Sequence, residues 1–225
     1  MRNSVKLTSN YFSDNRAVQS QSGAGIYLDG HNTVIDKNIF VKHENSVILI
    51  TESINTVISN SIFVANTASN IIVTRDSIYF VNDNENEIHI YNSTIAFNHL
   101  GENTANVLTL GLNSTIENSI IWDNSPAHTQ PWLNGFQVND GAIQITNSIV
   151  EYGYYNDKSD NVVDADPQFV RPEAGDYRVL LNSPAIDSGI DLGELGITSD
   201  ITGNNRPSDG NADDVEAFDM GAFER

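Results

Sequence analysis

The sequence contains no cysteine and few basic residues, and both features limit what the protein can be. Without cysteine, disulfides play no part in the fold and give no clue to the compartment. The 11 Lys and Arg residues against 30 Asp and Glu residues give a formal net charge of −19. Because a surface of that charge repels phosphates and anionic lipid, we expect no nucleic-acid partner.

Long hydrophobic runs and helical periodicity are also missing. Hydrophobic residues make up 39% of the chain and occur in short runs, none near the roughly 20 residues of a spanning helix. The sequence therefore predicts no membrane insertion. The first six residues contain no apolar signal segment and lead almost at once into a predicted strand. We expect the chain to be the C-terminal portion of a longer protein; the alternative is a complete cytoplasmic protein.

What the sequence does contain is an internal repeat. Six ten-residue segments align without gaps, and their starts are 28, 23, 32, 26 and 29 residues apart. They are residues 6–15, 34–43, 57–66, 89–98, 115–124 and 144–153. The second and seventh positions are apolar in all six, and the fourth and tenth are mostly Asn. Such spacing is typical of a structural repeat about one supersecondary unit long.

The repeated segments have the composition of strands. They are rich in β-branched residues with apolar positions alternating over a short span. Further strand-like runs lie between them, at 25–28, 46–51, 70–74 and 106–110. We therefore predict an all-β, right-handed parallel β-helix of about six or more coils, with the second, fourth and seventh positions facing inward. Stacked Asn side chains would form amide ladders, and Asn also tolerates left-handed corners. The alternative is an antiparallel sandwich, which lacks the expected hairpin signals between strands.

The repeat stops after about residue 153, and the remainder is more acidic. Residues 151–225 contain 17 acids and 5 bases, a net charge of −12. We predict two parts: β-helix coils over 1–153, and a closing segment over 154–225 that packs on the helix as an irregular acidic cap.

Four motifs follow one another in this second part. They are DADPQFV (164–170), GDYRVLLNSPAIDSG (175–189), DITGNNRP (200–207) and DMGAFE (219–224). In this order they resemble the closing region of bacterial right-handed β-helix proteins of the pectate-lyase-like superfamily, in particular the group with a "choice-of-anchor Q" domain. The resemblance implies a secreted or surface-attached bacterial protein. It implies no settled activity, because fold similarity alone does not license one.

An acidic run near the C-terminus predicts a calcium site. Oxygen-bearing side chains at Asp209, Asn211 and Asp213 match the first three ligand positions of a calcium loop. The Val215 carbonyl and the carboxylate of Glu216 or Asp219 would complete the shell.

The match to a calcium loop is partial. Asp214 stands in place of the usual turn glycine, and Met220 occupies the position of the final bidentate acid. The alternative is a solvated acidic turn.

Three basic residues are weak candidates for catalysis. Polysaccharide β-elimination needs a base and a cation that neutralises the uronate carboxylate. Lys37 or Lys42 could supply the base and Arg75, one or two coils away, the cation; the alternative is ordinary surface charge.

Two functions follow as hypotheses. The first is a non-catalytic scaffold or glycan-binding module of a secreted or surface protein, with a polysaccharide or cell-surface glycan as partner and self-association through the N-terminal coil. The second is a lyase or hydrolase acting on acidic polysaccharide. The net charge of −19 disfavours the second, because a polyuronate would be repelled.

Overall fold

The chain forms three parallel β-sheets that it visits in rotation. A computed structural model describes residues 4–18, 23–51, 53–68, 70–75, 87–100, 107–111, 113–124, 143–151 and 160–225. Within these residues the regular structure is all β apart from two short 3-10 helices, Pro172–Ala174 and Gly193–Leu195. The predicted all-β class with stacked parallel sheets is confirmed.

Each sheet takes its strands in chain order, so that every strand pairs with the previous strand of the same sheet. The first sheet contains Lys6–Thr8, Val34–Asp36, Thr56–Ser59, Ile88–Tyr91, Thr115–Glu117 and Gln144–Thr146. The second contains Tyr11–Ser13, Ile39–Val41, Ile62–Val64, Thr94–Ala96, Ile120–Trp122, Ser148–Val150 and Val162–Val163. The third contains Ile26–Asp29, Ile48–Thr51, Ile72–Arg75 and Leu108–Thr109. We call each passage through the sheets a coil.

Two smaller pairings complete the strand inventory of the described residues. Thr67–Ala68 pairs in parallel with His99–Leu100, and Phe169–Arg171 pairs antiparallel with Asp176–Val179. The parallel pairing of the second sheet continues to Val162–Val163, about ten residues beyond the predicted boundary at 153.

Residues that align in the ungapped repeat are paired with each other on neighbouring strands of the sheets. At the second position, Leu7, Ile35, Ile58, Ile90, Ile116 and Ile145 are successive partners. At the seventh, Phe12, Phe40, Phe63, Ile95, Ile121 and Val150 are successive partners. Both positions contribute to one core between the sheets, as predicted.

The phenylalanines of the seventh position stack face to face. The ring centroids of Phe12 and Phe40 lie 4.8 Å apart and those of Phe40 and Phe63 4.7 Å apart, with interplanar angles of 3° and 4°. This separation equals the distance of about 4.8 Å between neighbouring strands. The parallel register therefore sets the ring stacking, and Phe40 and Phe63 are fully buried by it.

The fourth position forms the corner between the first and second sheets. Its six residues have φ between 44° and 57°, in the left-handed region; they are Ser9, Lys37, Asn60, Asn92, Asn118 and Asn147. The inward direction predicted for this position is wrong. The left-handed residue turns the chain, and the side chains of Lys37, Asn92, Asn118 and Asn147 bond to the C-terminal segment. Lys37 therefore fits the alignment, with φ 57° at the same corner.

A second left-handed corner follows the second sheet, and one of its residues carries a testable prediction. Ala65 has φ 53° and is exposed. A left-handed conformation costs an L-residue about 1 kcal/mol, whereas glycine adopts it freely. We expect Ala65→Gly to raise the free energy of unfolding by about 0.5–1 kcal/mol in urea titrations. Ala68→Gly, at a strand position that is 4% exposed, should lower the free energy of unfolding. If both variants raised it, or both lowered it, the left-handed corner would not explain the effect at Ala65.

The tenth position carries the predicted amide ladder. The Asn66 backbone N–H and side-chain amide both donate to Asn98 Oδ1, at 3.1 and 2.8 Å, and Asn98 makes the same two bonds to Asn124 Oδ1. His43 takes the place of Asn in the second coil, where its Nδ1 accepts the Asn15 N–H at 3.3 Å. We call this column the asparagine ladder.

A second ladder, which the sequence reading did not predict, occupies the fifth position. The backbone N–H of Ser61 donates to Ser93 Oγ, that of Ser93 to Ser119 Oγ and that of Ser119 to Ser148 Oγ. These hydroxyls donate in turn to the carbonyl two residues earlier. The corner N–H groups are thus satisfied without water, as buried backbone requires.

The C-terminal segment, residues 164–225, packs beside the coils. The Asn118 amide donates to the Ile190 carbonyl and accepts the Ile190 N–H, and the Asn92 amide donates to the Asp219 carbonyl. Met220 and Ala222 cover the outer face of the second sheet. These contacts bury an apolar outer face that would otherwise meet water. An acidic cap over the last coil stays a prediction, since the contacts described here are lateral.

Candidate functional site

The outer face of the first sheet and one loop of the C-terminal segment enclose a groove. Its volume is about 600 Å³. In a strand, alternate side chains point to opposite faces, and the first and third positions of the second, third and fourth repeat segments line the groove, together with Lys6 of the first. Residues 195–199 form the opposite wall. We call this feature the first-sheet groove.

The groove is lined by both polar and apolar groups. Asp36, Ser59 and Asn60 belong to it, and Asp36 Oδ1 accepts bonds from the Ser59 hydroxyl at 2.8 Å and the Asn60 amide at 3.0 Å. Leu195, which is 59% exposed, provides an apolar surface on the opposite wall. Hydroxyl, amide and carboxylate groups beside an apolar surface suit a ligand rich in hydroxyls.

Two lysines lie at the groove. Lys6 and Lys37 both line it, and the Lys37 ammonium donates to the Ser199 hydroxyl at 2.6 Å. That bond joins the corner of the second coil to the loop of the C-terminal segment. The groove therefore combines two cations with Asp36, in a protein whose overall charge is −19.

An aromatic and histidine pair lies on the fourth coil. The rings of His89 and Tyr91 stack at 5.9 Å, and His89 Nδ1 lies 2.9 Å from the Thr115 hydroxyl. His89 Nε2 lies 3.5 Å from a Glu87 carboxylate oxygen. Burial lowers the pKa of His89 and raises the pKa of Tyr91 and of Glu117. At neutral pH this part of the groove presents a neutral imidazole and a neutral phenol.

The three predicted basic candidates lie in different places. Lys37 precedes the second-sheet strand Ile39–Val41, whereas the exposed Lys42 follows it. Arg75 ends a strand of the third sheet, and its side chain lies outside the described residues. Of the three, only Lys37 lines the groove. The backbone thus places Lys37 at the corner between the first and second sheets and Arg75 at the end of a third-sheet strand.

The predicted calcium loop is an exposed turn organised by its own first residue. Asp209 Oδ1 accepts the N–H groups of Ala212 and Asp213, and Asp209 Oδ2 accepts that of Asp214. Residues 211–216 are exposed, so the oxygens of Asn211 and Glu216 and the carbonyl of Val215 lie near solvent.

Asp219 lies apart from that exposed turn. It is 1% exposed, and its two carboxylate oxygens accept the N–H groups of Asp187 and Arg225 at 2.8 and 2.9 Å. In residues 4–225 outside the undescribed gaps, no group of three or more Asp, Glu, His or Cys residues is arranged to hold a metal ion. Calcium binding stays a prediction.

Segments 200–207 and 219–224 meet in a buried charged cluster. Arg206 Nη1 lies 2.5 Å from Glu224 Oε2, and their side chains are 0% and 1% exposed. Arg206 also donates to the carbonyls of Asp219 and Gly221. Asp200 Oδ2 accepts the Glu224 N–H at 3.0 Å. We call these groups the Arg206 cluster; its contacts are internal, and they fix the course of the C-terminal segment.

The Arg206 cluster makes stability depend on pH. Burial raises the pKa of Glu224 to about 7, above its value near 4.3 in an unfolded chain. The folded state therefore keeps a proton that the unfolded chain releases, and stability falls as pH rises between these values. We expect wild type to lose up to about 3 kcal/mol relative to Glu224→Gln between pH 4.5 and 8. Urea titrations across this range measure it, and a pH-independent difference would contradict it.

The sequence does not identify the groove residues, for a structural reason. Tyr91, His89 and Asp36 occupy the outward first and third positions of the repeat, which vary from coil to coil. Only the packing of residues 195–199 against the first sheet turns this outer face into a groove. The alternation of the strands predicts which side chains point outward, but nothing in the repeat predicts the opposing wall.

Comparison with known proteins adds no assignment. No protein-family model matches the chain, and no curated protein matches its sequence. Among the residues that the structure describes, none forms a helix of the length and apolarity needed to cross a membrane.

Proposed function

We propose that the chain is a right-handed parallel β-helix module of a secreted or surface-attached bacterial protein, and that it acts as a non-catalytic scaffold that binds a glycan in the first-sheet groove. The carrying observation is the groove of about 600 Å³ between the first sheet and residues 195–199.

The helical course is supported by the sheet order. Each coil adds one strand to the first sheet and one to the second, always in chain order and always parallel. Crossovers between parallel strands of one sheet are right-handed in about 98% of cases. The acidic C-terminal segment, which follows the coils, would then close the module.

Glycan binding is supported by the groove's chemistry. Its hydroxyl, amide and carboxylate groups match the alternating donors and acceptors of a sugar, and the exposed side chain of Leu195 offers an apolar contact. A non-catalytic role is supported by the position of Arg75 at the end of a third-sheet strand, in a different sheet from the corner that carries Lys37.

A matched pair of leucine variants tests the groove. Leu195→Glu introduces a carboxylate at the wall, whereas Leu181→Glu introduces one at a comparably exposed position that does not line the groove. We expect wild type to bind at least one member of an immobilised panel of neutral and acidic oligosaccharides. Leu195→Glu should weaken this binding at least tenfold and Leu181→Glu less than twofold. No ligand in the panel, or equal effects of the two variants, would contradict the proposal.

The enzyme alternative predicts a product. A lyase acting on alginate, pectin or chondroitin forms an unsaturated sugar that absorbs in the ultraviolet, and a hydrolase releases reducing ends. Under our proposal neither product appears. If wild type forms a product and Lys37→Met does not, the protein is an enzyme and the proposal of a non-catalytic binding module is wrong.

Structural calcium belongs to the same proposal. The exposed oxygens of Asn211, Asp213 and Glu216 fit a hard cation, whereas buried Asp219 already binds two backbone N–H groups. Thermal unfolding with 5 mM calcium (about millimolar affinity is typical of extracellular modules) should occur several degrees higher than with EDTA. Asp209→Ala combined with Asp213→Ala should abolish the shift, and no shift in wild type would remove calcium from the proposal.

A further inference from the structure

One buried amide oxygen at the first-sheet groove has no hydrogen-bond partner among the described residues. Asn60 lines the groove and is 2% exposed, and its Oδ1 accepts no hydrogen bond. Buried side-chain oxygens are nearly always paired. Unpaired buried atoms also occur in Thr33, His43 and Arg206, but these residues do not line the groove. A ligand in the groove would therefore find its unused acceptor at Asn60.

The orientation of the Asn60 amide is fixed by Asp36. The amide nitrogen donates to Asp36 Oδ1 at 3.0 Å. A carboxylate only accepts hydrogen bonds, so exchanging the amide nitrogen and oxygen would set two acceptors against each other. The hydrogen-bond network thus assigns the unpaired atom as the oxygen.

The two following coils satisfy the same corner oxygen. Asn118 Oδ1 accepts the Ile190 N–H at 2.9 Å, and Asn92 Oδ1 accepts the Asn118 amide at 3.5 Å. The Asn92 amide is directed to the Asp219 carbonyl. At Asn60 no residue of the C-terminal segment donates to the oxygen, and the groove lies at this point of the corner column.

A charged donor lies beside this acceptor. Lys37 occupies the same corner of the preceding coil, where its backbone N–H donates to the Ser59 carbonyl at 3.1 Å. Its side chain reaches the opposite wall, where the ammonium donates to the Ser199 hydroxyl. Within the described residues this ammonium forms no ion pair with a carboxylate. Because an ammonium has three donors, Lys37 can also donate to a ligand.

An apolar surface lies in the same cavity. Val57 on the first sheet and Leu195 and Ile197 on the opposite wall line the groove. Leu195 is 59% exposed, whereas Ile197 belongs to a buried cluster with Tyr91, against which Val57 packs. The groove thus offers an unused acceptor, a charged donor and an apolar contact.

We propose that the groove binds a sugar that carries an acetamido group. The amide N–H of the ligand donates to Asn60 Oδ1, and its carbonyl accepts from the Lys37 ammonium in place of the Ser199 hydroxyl. The methyl group lies against Leu195. This inference rests on the proposed glycan binding and names the class of glycan.

Two other kinds of donor fit the groove less well. A ligand ammonium would meet the Lys6 and Lys37 ammoniums, which line the same groove. A hydroxyl can donate to Asn60, but it brings neither a separate carbonyl for Lys37 nor a methyl group for the apolar wall. An acetamido group is also uncharged, so the net charge of −19 does not repel it.

Three trisaccharides test the class of ligand. Trimers of N-acetylglucosamine, glucosamine and glucose share one backbone and differ in the group at the second carbon. We expect titration calorimetry to give wild type a dissociation constant at least tenfold lower for the N-acetylglucosamine trimer than for the other two. Equal binding of the glucose or glucosamine trimer, or no binding of the N-acetylglucosamine trimer, would overturn the inference. Binding of other members of the oligosaccharide panel would then still support the glycan module, so the two failures are distinguishable.

Variants at the corner and the wall test the assigned contacts. Glycine adopts a left-handed corner freely, so Asn60→Gly removes the acceptor and keeps the turn. It should raise the dissociation constant of the N-acetylglucosamine trimer at least fivefold. Asn147→Gly, at the same corner with φ 44° but outside the groove, should raise it less than twofold. Ser199→Ala should lower it, because Lys37 then loses its competing partner.

Thermal unfolding of each variant checks that it folds. Equal effects of the two glycine variants, or weaker binding by Ser199→Ala, would overturn the assigned contacts.

Discussion

Replacing Arg206 by methionine is expected to lower the free energy of unfolding by about 3–5 kcal/mol, the range found when one partner of a buried ion pair is removed. The guanidinium is fully buried and bonds to Glu224 and to the carbonyls of Asp219 and Gly221. Methionine fills similar volume but donates no hydrogen bond, so a carboxylate and two carbonyls would lose their partner. Urea titration at pH 8, above the pKa of about 7 of Glu224, measures the loss with the carboxylate ionised.

The matched control for Arg206 is an exposed arginine. Arg178 also bonds to a carboxylate, with its Nη2 2.6 Å from Asp176 Oδ2, but its side chain is 63% exposed. Because solvent screens an exposed pair, Arg178→Met should change the free energy of unfolding little. Combining Arg206→Met with Glu224→Met should recover part of the loss, because the buried charge is then removed. Equal losses for Arg206→Met and Arg178→Met would show that the cluster does not hold the C-terminal segment.

The second large effect is expected from Asn98→Leu, which should lower the free energy of unfolding by about 3–5 kcal/mol, since each unsatisfied buried group costs about 1–3 kcal/mol. Asn98 is 0% exposed. Its Oδ1 accepts the Asn66 N–H and amide, and its own amide donates to the Phe63 carbonyl at 2.9 Å. Leucine has nearly the same size but would leave the Asn66 N–H and amide and the Phe63 carbonyl of the third coil without this partner.

Two further variants make the ladder prediction specific. Asn182→Leu changes an exposed asparagine outside the ladder and should shift the urea midpoint little. Asn98→His should lower the free energy of unfolding less than Asn98→Leu does. His43 already occupies this position in the second coil and accepts a backbone N–H through Nδ1. If leucine and histidine were equally destabilising, hydrogen bonding along the ladder would not be the cause.

The repeat predicted the architecture because stacking imposes one requirement at each position. A residue at the second or seventh position meets its own equivalents above and below, so Ile58 lies between Ile35 and Ile90, and Phe40 between Phe12 and Phe63. Positions that are apolar in every repeat segment therefore pair with one another on neighbouring strands. Asn at the tenth position likewise predicted a ladder, which the structure confirms.

The fourth position and the groove could not be predicted from the same pattern. Asn is favoured both in ladders and in left-handed corners, and the sequence does not distinguish the two uses; Asn118 proved to be a corner residue that bonds to Ile190. The groove depends on contacts between residues more than 100 positions apart, such as Lys37 with Ser199. No repeat period records contacts of that kind.

Spacing between equivalent residues of successive coils tests the proposed β-helix most directly. Spin labels can replace exposed residues at the corner after the second sheet, since Asp14, Lys42, Ala65 and Asp123 belong to the first, second, third and fifth coils. With about 4.8 Å per coil, the backbone separations from Asp14 should be about 5, 10 and 19 Å. Distances from pulsed electron-electron double resonance that increase in this order would agree with the stack. Continuous-wave line broadening should decrease in the same order. Distances that do not increase with coil number, as in an antiparallel sandwich, would contradict it.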